Sequence, residues 1–258
     1  MIIVSHGGDA GDVIYALPTM RELARRFGSV KLELHPSSLT RAMMTPASAD
    51  SLRSLIERQD YVDSVVFVNQ PTGLRLDRWR TEPCYEMILA DKHLAAANLP
   101  LTCRDDAWLT VLPRRVAPVV FHRSPRYHNP FFPWRRVWET YGDEAVFVGG
   151  RDEHAAFCEA IGRVPYHPTS TFLELAEVIA GSELFVGNQS CPFAIAEGLK
   201  HNAVLEVDRR GANCCYERAN VVHGYTSTVR LPSLRSTSAY QSTAPTPGPS
   251  LPLASTAI

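Results

Sequence analysis

The first 19 residues contain a short β-branched run, a glycine-rich turn and an amphipathic helical pattern, with no spare residues between them. The run Ile2-Ile-Val4 leads into the turn Ser5-His-Gly-Gly-Asp-Ala-Gly-Asp12, and the helical pattern follows from Val13. This arrangement places bare backbone and carboxylates at the carboxyl end of a first strand, which is where ligands bind in open α/β sheets. The glycines of the turn let a ligand approach the main chain closely. The feature predicts an α/β fold with a binding site at this turn.

The turn also has a purely structural interpretation. In that interpretation Asp12 only caps the helix, and the glycines only close a tight turn. A glycine-rich turn between a strand and a helix occurs in many α/β proteins, so by itself it does not decide between the two interpretations.

Composition and charge narrow the class of protein. The chain has 258 residues, a hydrophobic fraction of 45% and a formal net charge of -1. It can therefore form one large domain or two ordinary ones, and it carries no overall charge that favours nucleic acid or anionic membranes. No apolar run approaches the roughly 20 residues that span a bilayer, and the N-terminus shows no signal-peptide pattern. Cysteines without C-x-x-C spacing favour a reduced chain, so we expect a cytoplasmic protein without a transmembrane segment.

Strand and helix patterns alternate along the chain. Runs of β-branched and apolar residues predict strands at residues 30–34, 65–68, 86–90, 119–121, 145–148, 184–186 and 203–207. Apolar residues at helical spacing predict helices at 13–27, 52–59, 134–141, 153–161, 172–180 and 193–199. The capping box Thr171-Phe-Leu-Glu174 marks the start of one of these helices.

The alternating units form two successive series, which predict two Rossmann-like βαβ domains that face each other across a cleft. We expect an N-terminal domain at residues 1–115 and a C-terminal domain at residues 116–225, with the boundary near Pro113–Pro118. Residues 226–258 are rich in Ser, Thr, Pro and Ala and carry little charge, which predicts a disordered low-complexity tail.

Three loops of the second series follow predicted strands, so they should line one edge of the sheet. The first loop, Arg123-Ser-Pro-Arg-Tyr-His128, contains two permanent cations and several hydrogen-bond donors. Arg123 and Arg126 suit phosphate because a guanidinium group binds its oxygens in bidentate fashion. Ser124 and Tyr127 lie beside them in the chain. The structural alternative is a solvated surface loop.

The second loop, Gly149-Gly150, is followed by Asp152 and Glu153, whose carboxylates are placed to bind a pair of ribose hydroxyls. The structural alternative is that Asp152 caps a helix. The third loop, Asn188-Gln-Ser-Cys191, precedes Pro192, a favoured first helical residue. The free N–H groups and the dipole of such a helix start bind an anion without a lysine, although an ordinary capped helix explains the same residues. Together with the acidic first turn, these loops form a coherent nucleotide-sugar cleft.

Two blocks of the sequence resemble a known family. Gly8-Asp-Ala-Gly-Asp12-Val-Ile-Tyr-Ala-Leu-Pro18 is similar to the family's amino-terminal G-D-x-G-D segment, and Phe185-Val-Gly-Asn-Gln-Ser-Cys-Pro192 is similar to its carboxy-terminal V-G-N-D-S-G-P segment. Phe147-Val-Gly-Gly-Arg-Asp-Glu153 matches its hydrophobic strand that ends in glycines and an acidic residue. Over residues 1–225 the chain thus resembles the heptosyltransferase-like glycosyltransferases (glycosyltransferase family 9), which have the GT-B fold.

The resemblance implies an inverting, metal-independent transfer of a sugar from a nucleotide-sugar donor to a hydroxyl acceptor, with no cofactor besides that co-substrate. Asp12 matches the catalytic carboxylate, which as general base deprotonates the acceptor hydroxyl. Asp9 would raise the pKa of Asp12 through like-charge repulsion. The remaining matched positions are implied to contact the phosphates, the ribose or the sugar of the donor. They are Gly8, Gly11, Arg123, Ser124, Arg126, Tyr127, Gly149, Glu153, Asn188, Gln189, Ser190 and Cys191.

Three residues depart from the family pattern. Gln189 replaces the usual aspartate, Cys191 replaces a glycine, and Ala194 stands where histidine is common. Gln189 can still form a hydrogen bond with a sugar hydroxyl, but the donor sugar need not be heptose. The predicted tail also stands where the family has a crossover helix that returns to the first domain.

Three functions stay open at this level. The first is a glycosyltransferase whose acceptor is a lipopolysaccharide-type glycan or a modified nucleobase, although the near-zero net charge gives no support to a nucleic-acid acceptor. The second is a nucleotide-sugar epimerase or hydrolase of the same architecture, which acts on the donor alone. The third is a catalytically silent binding module, which Gln189 and Cys191 favour and the intact Asp12 disfavours.

Overall fold

The computed structural model describes residues 1–39, 43–81 and 88–234, which form two parallel β-sheets surrounded by helices. The first sheet has the strand order β3-β2-β1-β4. Its strands are β1 (Ile2–His6), β2 (Val30–Leu34), β3 (Val62–Phe67) and β4 (Leu74–Arg75). The helices of this half are α1 (Ala10–Tyr15), α2 (Leu17–Phe27), α3 (Pro46–Ile56) and α4 (Leu89–Ala96).

The second sheet has the strand order β6-β5-β7-β8-β9, again with every neighbouring pair parallel. Its strands are β5 (Val119–His122), β6 (Ala145–Phe147), β7 (Leu184–Asn188), β8 (Ala203–Glu206) and β9 (Val221–Gly224). The helices of this half are α5 (Trp134–Tyr141), α6 (Arg151–Ala160), α7 (Phe172–Ala180) and α8 (Cys191–Gly198). The prediction of two Rossmann-like sheets is confirmed.

The strand order places a switch point in each sheet. β1 has β2 on one side and β4 on the other, and β5 lies between β6 and β7. In doubly wound sheets the crevice for a ligand opens at the carboxyl ends of the strands at such a point. The turn after β1 and the loops after β5 and β7 therefore leave their sheets at the positions that favour binding.

Two predicted helices differ from the structure. The helix predicted over residues 13–27 is two helices, α1 and α2, and Pro18 lies in the first turn of α2, where its missing N–H disrupts no helical bond. Helix α3 begins at Pro46 rather than near residue 52, because Thr45 forms a capping box with Ser48. Local capping set the true start, and the apolar spacing did not reveal it.

Three strand assignments also need correction. β4 and β9 were not predicted, and β4 is only two residues long. The strand predicted over residues 86–90 is wrong where it is described, since Leu89 begins α4. Residues 82–87 lie outside the described residues.

The two halves pack directly on each other. Helix α1 lies against α8, and α3 lies against α7. Residues from both halves, among them Val13 and Ile14 of α1 and Phe193 of α8, belong to one buried apolar cluster. The backbone N–H groups of Trp108 and Leu109 both donate to Gly198 O, which fastens the connecting segment to α8. The halves therefore share a core as well as a cleft.

The first nine residues of the predicted tail are ordered against the second half. Val229 is buried in a second apolar cluster, and Leu231 and Leu234 pack against it. The Tyr141 hydroxyl donates to Pro232 O. Val229, Leu231 and Leu234 therefore pack with the second half rather than lying in a disordered tail, and residues 235–258 lie outside the described residues.

Two further expectations can be checked on the described part of the chain. No described helix has both the length and the apolar character to cross a bilayer. The cysteines at positions 103, 158, 191, 214 and 215 are all free, whereas Cys84 lies outside the described residues.

Candidate functional site

The turn after β1 and the loops of the second half border two adjoining cavities. The first-turn cavity, of about 590 Å³, is lined from both halves and includes Asp9, Asp12 and Tyr127. The second-half cavity, of about 520 Å³, lies over β5–β7. Three residues line both cavities and therefore mark their junction: Arg126, Ser190 and Cys191. Both volumes fall in the range of small-molecule sites.

Asp12 lies in the first turn of α1, and its carboxylate forms an ion pair with Arg80. The alternative that Asp12 only caps the helix is wrong, because the N-cap residue is Asp9. Burial raises the pKa of Asp12 to about 6 and the negative charge of Asp9 adds to this rise, whereas Arg80 and Arg126 oppose it. The predicted effect of Asp9 has the expected sign, but burial is the larger cause.

Arg80 was missed by the sequence analysis. It ends a short 3-10 helix, Arg78–Arg80, in a stretch without a helical or strand period. Its partner Asp12 lies 68 positions away in the chain. No local signal connects the two residues, since only the fold brings them together.

Two buried histidines, His6 and His93, connect the first turn to neighbouring segments. His6 Nδ1 accepts a hydrogen bond from the Gly8 N–H at 2.8 Å, so His6 Nε2 carries the proton and donates to His93 Nε2 at 3.0 Å. His93 Nδ1 donates to Leu89 O, and Trp79 Nε1 donates to His93 Nε2 at 3.0 Å. Burial lowers the pKa of His6 to about 3 and that of His93 well below its usual value. Both rings are therefore neutral, and they join the turn to α4 and to the segment of Arg80.

Gly8 leaves no room for a side chain at this turn. A Cβ atom there would lie 2.4 Å from His6 Cε1 and 3.0 Å from Asp12 Cβ. We expect Gly8→Ala to lower the free energy of unfolding by about 1–3 kcal/mol, as overpacking in a rigid interior does. Urea denaturation followed by circular dichroism measures the change.

Gly11→Ala is the matched control for this substitution. A Cβ at Gly11 would meet Cys191 Cα at 3.6 Å, which is an ordinary contact. Because Gly11 lies inside α1, alanine should leave stability unchanged or raise it by up to about 1 kcal/mol. Equal losses in the two variants would contradict the packing described for Gly8.

The second-half cavity contains Ser124, Gly149 and Glu153, as well as His122, which the sequence analysis missed. Glu153 accepts a hydrogen bond from the Gly150 N–H at 2.7 Å, so it also caps α6 in the way the structural alternative expected of Asp152. Gly149 has φ +121°, and a Cβ there would lie 2.7 Å from both Glu153 Oε2 and His122 Nδ1. Glycine is required at this position both for the backbone conformation and for the space.

His122 adds an acceptor to this cavity. Its Nδ1 lies 3.0 Å from Val148 O, to which it donates, so the Nε2 atom is an acceptor. Among the described residues Nε2 is buried without a partner. Burial lowers the pKa of His122, which keeps the ring neutral. His122 is the last residue of β5, whereas the predicted strand ended at Phe121 and the predicted loop began at Arg123, and a histidine at a strand end gives no specific signal.

Arg123 is directed away from both cavities. Its guanidinium forms a bidentate pair with the buried Glu206, at 2.9 Å for each bond. Glu206 also accepts hydrogen bonds from the Asn129 N–H and from Trp134 Nε1. The predicted phosphate contact of Arg123 is therefore replaced by a structural role, because a buried carboxylate on β8 takes its donors.

Asn188 and Gln189 also use their side chains within the protein. The Asn188 amide binds the Ser124 N–H and the carbonyl oxygens of Ser124 and Arg126, which shapes the first loop. Gln189 Oε1 accepts from the Asp208 N–H at 2.6 Å, and its Nε2 donates to Gly211 O. Gln189 lines the first-turn cavity, but both ends of its amide are occupied. Neither side chain is placed for the donor contact that was predicted.

The remaining predicted residues lie at the cavities. Gly8 and Gly11 line the first-turn cavity beside Asp12. Ser190 is the N-cap residue of α8 but makes no capping hydrogen bond through its side chain, and its hydroxyl donates to Asn188 O instead. Ser190 and Cys191 line both cavities together with Arg126, so the start of α8 lies at their junction.

No family model matches the sequence, and no curated protein matches it. Solved structures do. A family 9 glycosyltransferase from Veillonella parvula superposes with a TM-score of 0.60 at 12% identity, covering 86% of each chain. The E. coli heptosyltransferase WaaC with ADP gives 0.52 at 10% identity, covering 80% of this chain and 86% of that one. The E. coli ADP-heptose lipopolysaccharide heptosyltransferase II gives 0.51 at 13% identity, covering 80% and 84%.

The chain has the GT-B fold. The predicted resemblance to glycosyltransferase family 9 is thus confirmed at the level of fold. In a GT-B fold two Rossmann-like domains border a single cleft, and the two cavities described above lie in that cleft. At these identities the likeness carries the architecture, and the chemistry has to be argued from the residues.

Proposed function

We propose that this protein is an inverting glycosyltransferase that moves a sugar from a nucleotide-sugar donor to a hydroxyl acceptor. The observation that carries the proposal is the shared cavity of Asp12, Arg126 and Ser190. A carboxylate from one half faces a cation and a helix start from the other half. A base for the acceptor and a binding site for the leaving diphosphate thus lie on opposite walls of one cavity.

The donor would occupy the second-half cavity and extend to the junction. Arg126 and the N–H groups at the start of α8 provide positive charge for a diphosphate. Glu153 and His122 offer acceptor atoms for nucleoside hydroxyl or amino groups. One structural relative, WaaC, was solved with ADP, which supports a nucleotide ligand.

The acceptor would occupy the first-turn cavity, with its hydroxyl against Asp12. As the hydroxyl oxygen attacks the anomeric carbon, its proton passes to the Asp12 carboxylate and the bond between that carbon and the diphosphate oxygen breaks. Attack from the face opposite the leaving group inverts the configuration. Arg126 and the α8 start stabilise the charge on the departing diphosphate, so the proposal requires no metal ion.

A pKa near 6 suits this role for Asp12. A general base must be ionised at the working pH and still basic enough to take a proton, which favours a pKa slightly below neutrality. An unperturbed aspartate, with a pKa near 3.9, is a weaker base by about two units. Burial in the cleft supplies the difference.

The proposal is tested by incubating the full chain with labelled ADP-, UDP-, GDP- and CDP-sugars. Lipopolysaccharide core oligosaccharides and DNA with hydroxymethylated bases serve as separate acceptors. Transfer of label that requires an acceptor supports the proposal and identifies the acceptor class. Release or epimerisation of the sugar without an acceptor would favour the epimerase or hydrolase alternative. Binding without turnover for every pair would favour a silent module.

We expect Arg126→Ala to weaken the binding of the nucleoside diphosphate by about 10- to 100-fold, the worth of a hydrogen bond to a charged group. The affinity for the corresponding nucleoside should change little, because Arg126 lies at the junction rather than beside Glu153. Isothermal titration calorimetry with both ligands measures the two effects. Arg210→Ala is the control, since Arg210 is exposed, paired with Asp208 and lines neither cavity. Diphosphate affinity that is unchanged in Arg126→Ala would remove the first loop from the donor site.

A further inference from the structure

The ion pair of Asp12 with Arg80 is unusual because it engages the residue that the proposed reaction uses as its base. Arg80 Nη2 donates to Asp12 Oδ2, and both side chains are largely buried, with 17% and 15% of their surfaces exposed. A surface ion pair would contribute little. This pair lies on the wall of the first-turn cavity, where the acceptor hydroxyl is proposed to bind.

The position of Arg80 is fixed from several sides. Its guanidinium carbon lies 4.6 Å from the centre of the Trp79 ring, and its Nη1 donates to Leu39 O at 3.4 Å. Trp79 is in turn held by its hydrogen bond to His93, which also binds His6. A continuous set of contacts therefore runs from the strand end at His6 to the guanidinium. Neutral rings suit this purpose because they add no charge that would repel Arg80.

We propose that Arg80 is a positioning residue for Asp12, and that the chain His6–His93–Trp79 holds Arg80 in place. Arg80 keeps the Asp12 carboxylate ionised and aimed into the cavity. The inference rests on the proposed function, in which Asp12 is the base. It adds a residue from a different segment of the chain to that machinery.

The charges around Asp12 show why such a partner is needed. Its neighbours are Arg80, the carboxylate of Asp9 on its own turn, Arg126 on the first loop of the second half and the Cys191 thiol on α8. Burial and Asp9 favour the protonated carboxyl, and burial keeps the Cys191 thiol neutral because it raises its pKa. Arg126 has a weaker effect on Asp12 than Arg80 has. Without Arg80, a larger fraction of Asp12 would be protonated at neutral pH.

The titration of Asp12 tests this inference without any substrate. The full chain is labelled with ¹³C-aspartate, the Asp12 carboxyl signal is assigned with Asp12→Asn, and its pKa is measured by NMR. We expect Arg80→Gln to raise the pKa of Asp12 by about one unit or more, the usual effect of losing an adjacent opposite charge. Arg80→Lys should restore most of the original value. Trp79→Phe, which removes the N–H that binds His93, should shift it in the same direction as Arg80→Gln but by less.

Arg78→Gln is the matched control, because Arg78 lies on the same 3-10 helix but is exposed and lines neither cavity. Its Asp12 titration should equal that of the wild type. If transfer is observed, the acidic limb of the plot of kcat/KM against pH should move to higher pH in Arg80→Gln, by the same amount as the pKa of Asp12 measured by NMR. For a shift of one unit, kcat/KM at a pH below both limbs should be about tenfold lower than in the wild type. A purely structural role for Arg80 would not shift that limb.

An Asp12 titration that is identical in the wild type, Arg80→Gln and Arg80→Lys would overturn the inference. If Arg80→Gln does not fold, Trp79→Phe still decides the question, because the inference expects it to raise the pKa of Asp12. An Asp12 titration that is unchanged in Trp79→Phe would then count against it. A shifted titration in a protein without transferase activity would instead refute the proposed function while leaving the partnership of Arg80 and Asp12 intact.

Discussion

Asp12→Asn is expected to reduce the rate of sugar transfer by about 10²- to 10⁴-fold, the usual contribution of a general base. Asparagine fills nearly the same volume, but its amide cannot accept the proton of the acceptor hydroxyl. Because Asp12 lines the first-turn cavity and not the second-half cavity, affinity for a nucleoside diphosphate should stay within about twofold of the wild type. Steady-state transfer assays and calorimetry measure the two quantities separately.

Asp9→Asn is the matched control for this prediction. Asp9 lines the same cavity, and its charge raises the pKa of Asp12. Its removal should shift the acidic limb of the rate profile to lower pH and leave the rate above that limb within about tenfold. Equal loss of nucleotide binding and transfer in Asp12→Asn would show that Asp12 holds the cleft together rather than acting as a base.

Glu206→Ala is expected to lower the free energy of unfolding by about 3–5 kcal/mol, because it leaves the largely buried Arg123 without its partner. The same substitution removes the acceptor of the Asn129 N–H and of Trp134 Nε1. Glu206 and its three partners all lie in the second half of the protein. The loss of stability should therefore appear first in the fluorescence of the tryptophans of that half during urea denaturation. Glu206 is fully buried, so its removal leaves these donors inside the protein rather than at the surface.

The double variant Arg123→Met with Glu206→Leu separates charge from packing. It buries no unpaired guanidinium, so it should lose less stability than Glu206→Ala. Asp50→Ala provides a surface comparison, since Asp50 and its partner Arg53 are 61% and 40% exposed, and its cost should be below about 1 kcal/mol. A single Glu206→Ala variant as stable as Asp50→Ala would contradict the role assigned to Arg123.

The architecture was accessible from the sequence because its signals are periodic and repeated. Strand β2 and helix α5 have the predicted limits, and the start of α7 follows from the Thr171 side chain, which accepts from the Glu174 N–H. The start of α3 was missed because Thr45 and Ser48 form a capping box without the usual acidic residue. Turn chemistry of this kind is local, but it is not periodic.

The candidate site was accessible only in part, for a different physical reason. Residue type and position after a strand brought Asp12, Arg126 and Ser190 to the correct edge of the fold. The same rule also selected Arg123, which instead pairs with Glu206, 83 positions further along the chain. Which of two neighbouring arginines faces a ligand depends on the partner that the fold supplies. Arg80 could not be predicted, because nothing in the local sequence connects it with Asp12, which lies 68 positions away.

The packing of α1 on α8 has a consequence for how substrates reach the cleft. Swinging the two halves apart would expose apolar side chains such as Ile14 and Phe193 to water, at a cost of about 25 cal/mol for each Å² uncovered. A wide hinge motion is therefore opposed by the apolar contact between α1 and α8. Leu39 and Met43 line the first-turn cavity and are 46% and 58% exposed, so this part of the cavity is open to solvent without any such motion. We expect the acceptor to enter there while α1 stays packed on α8.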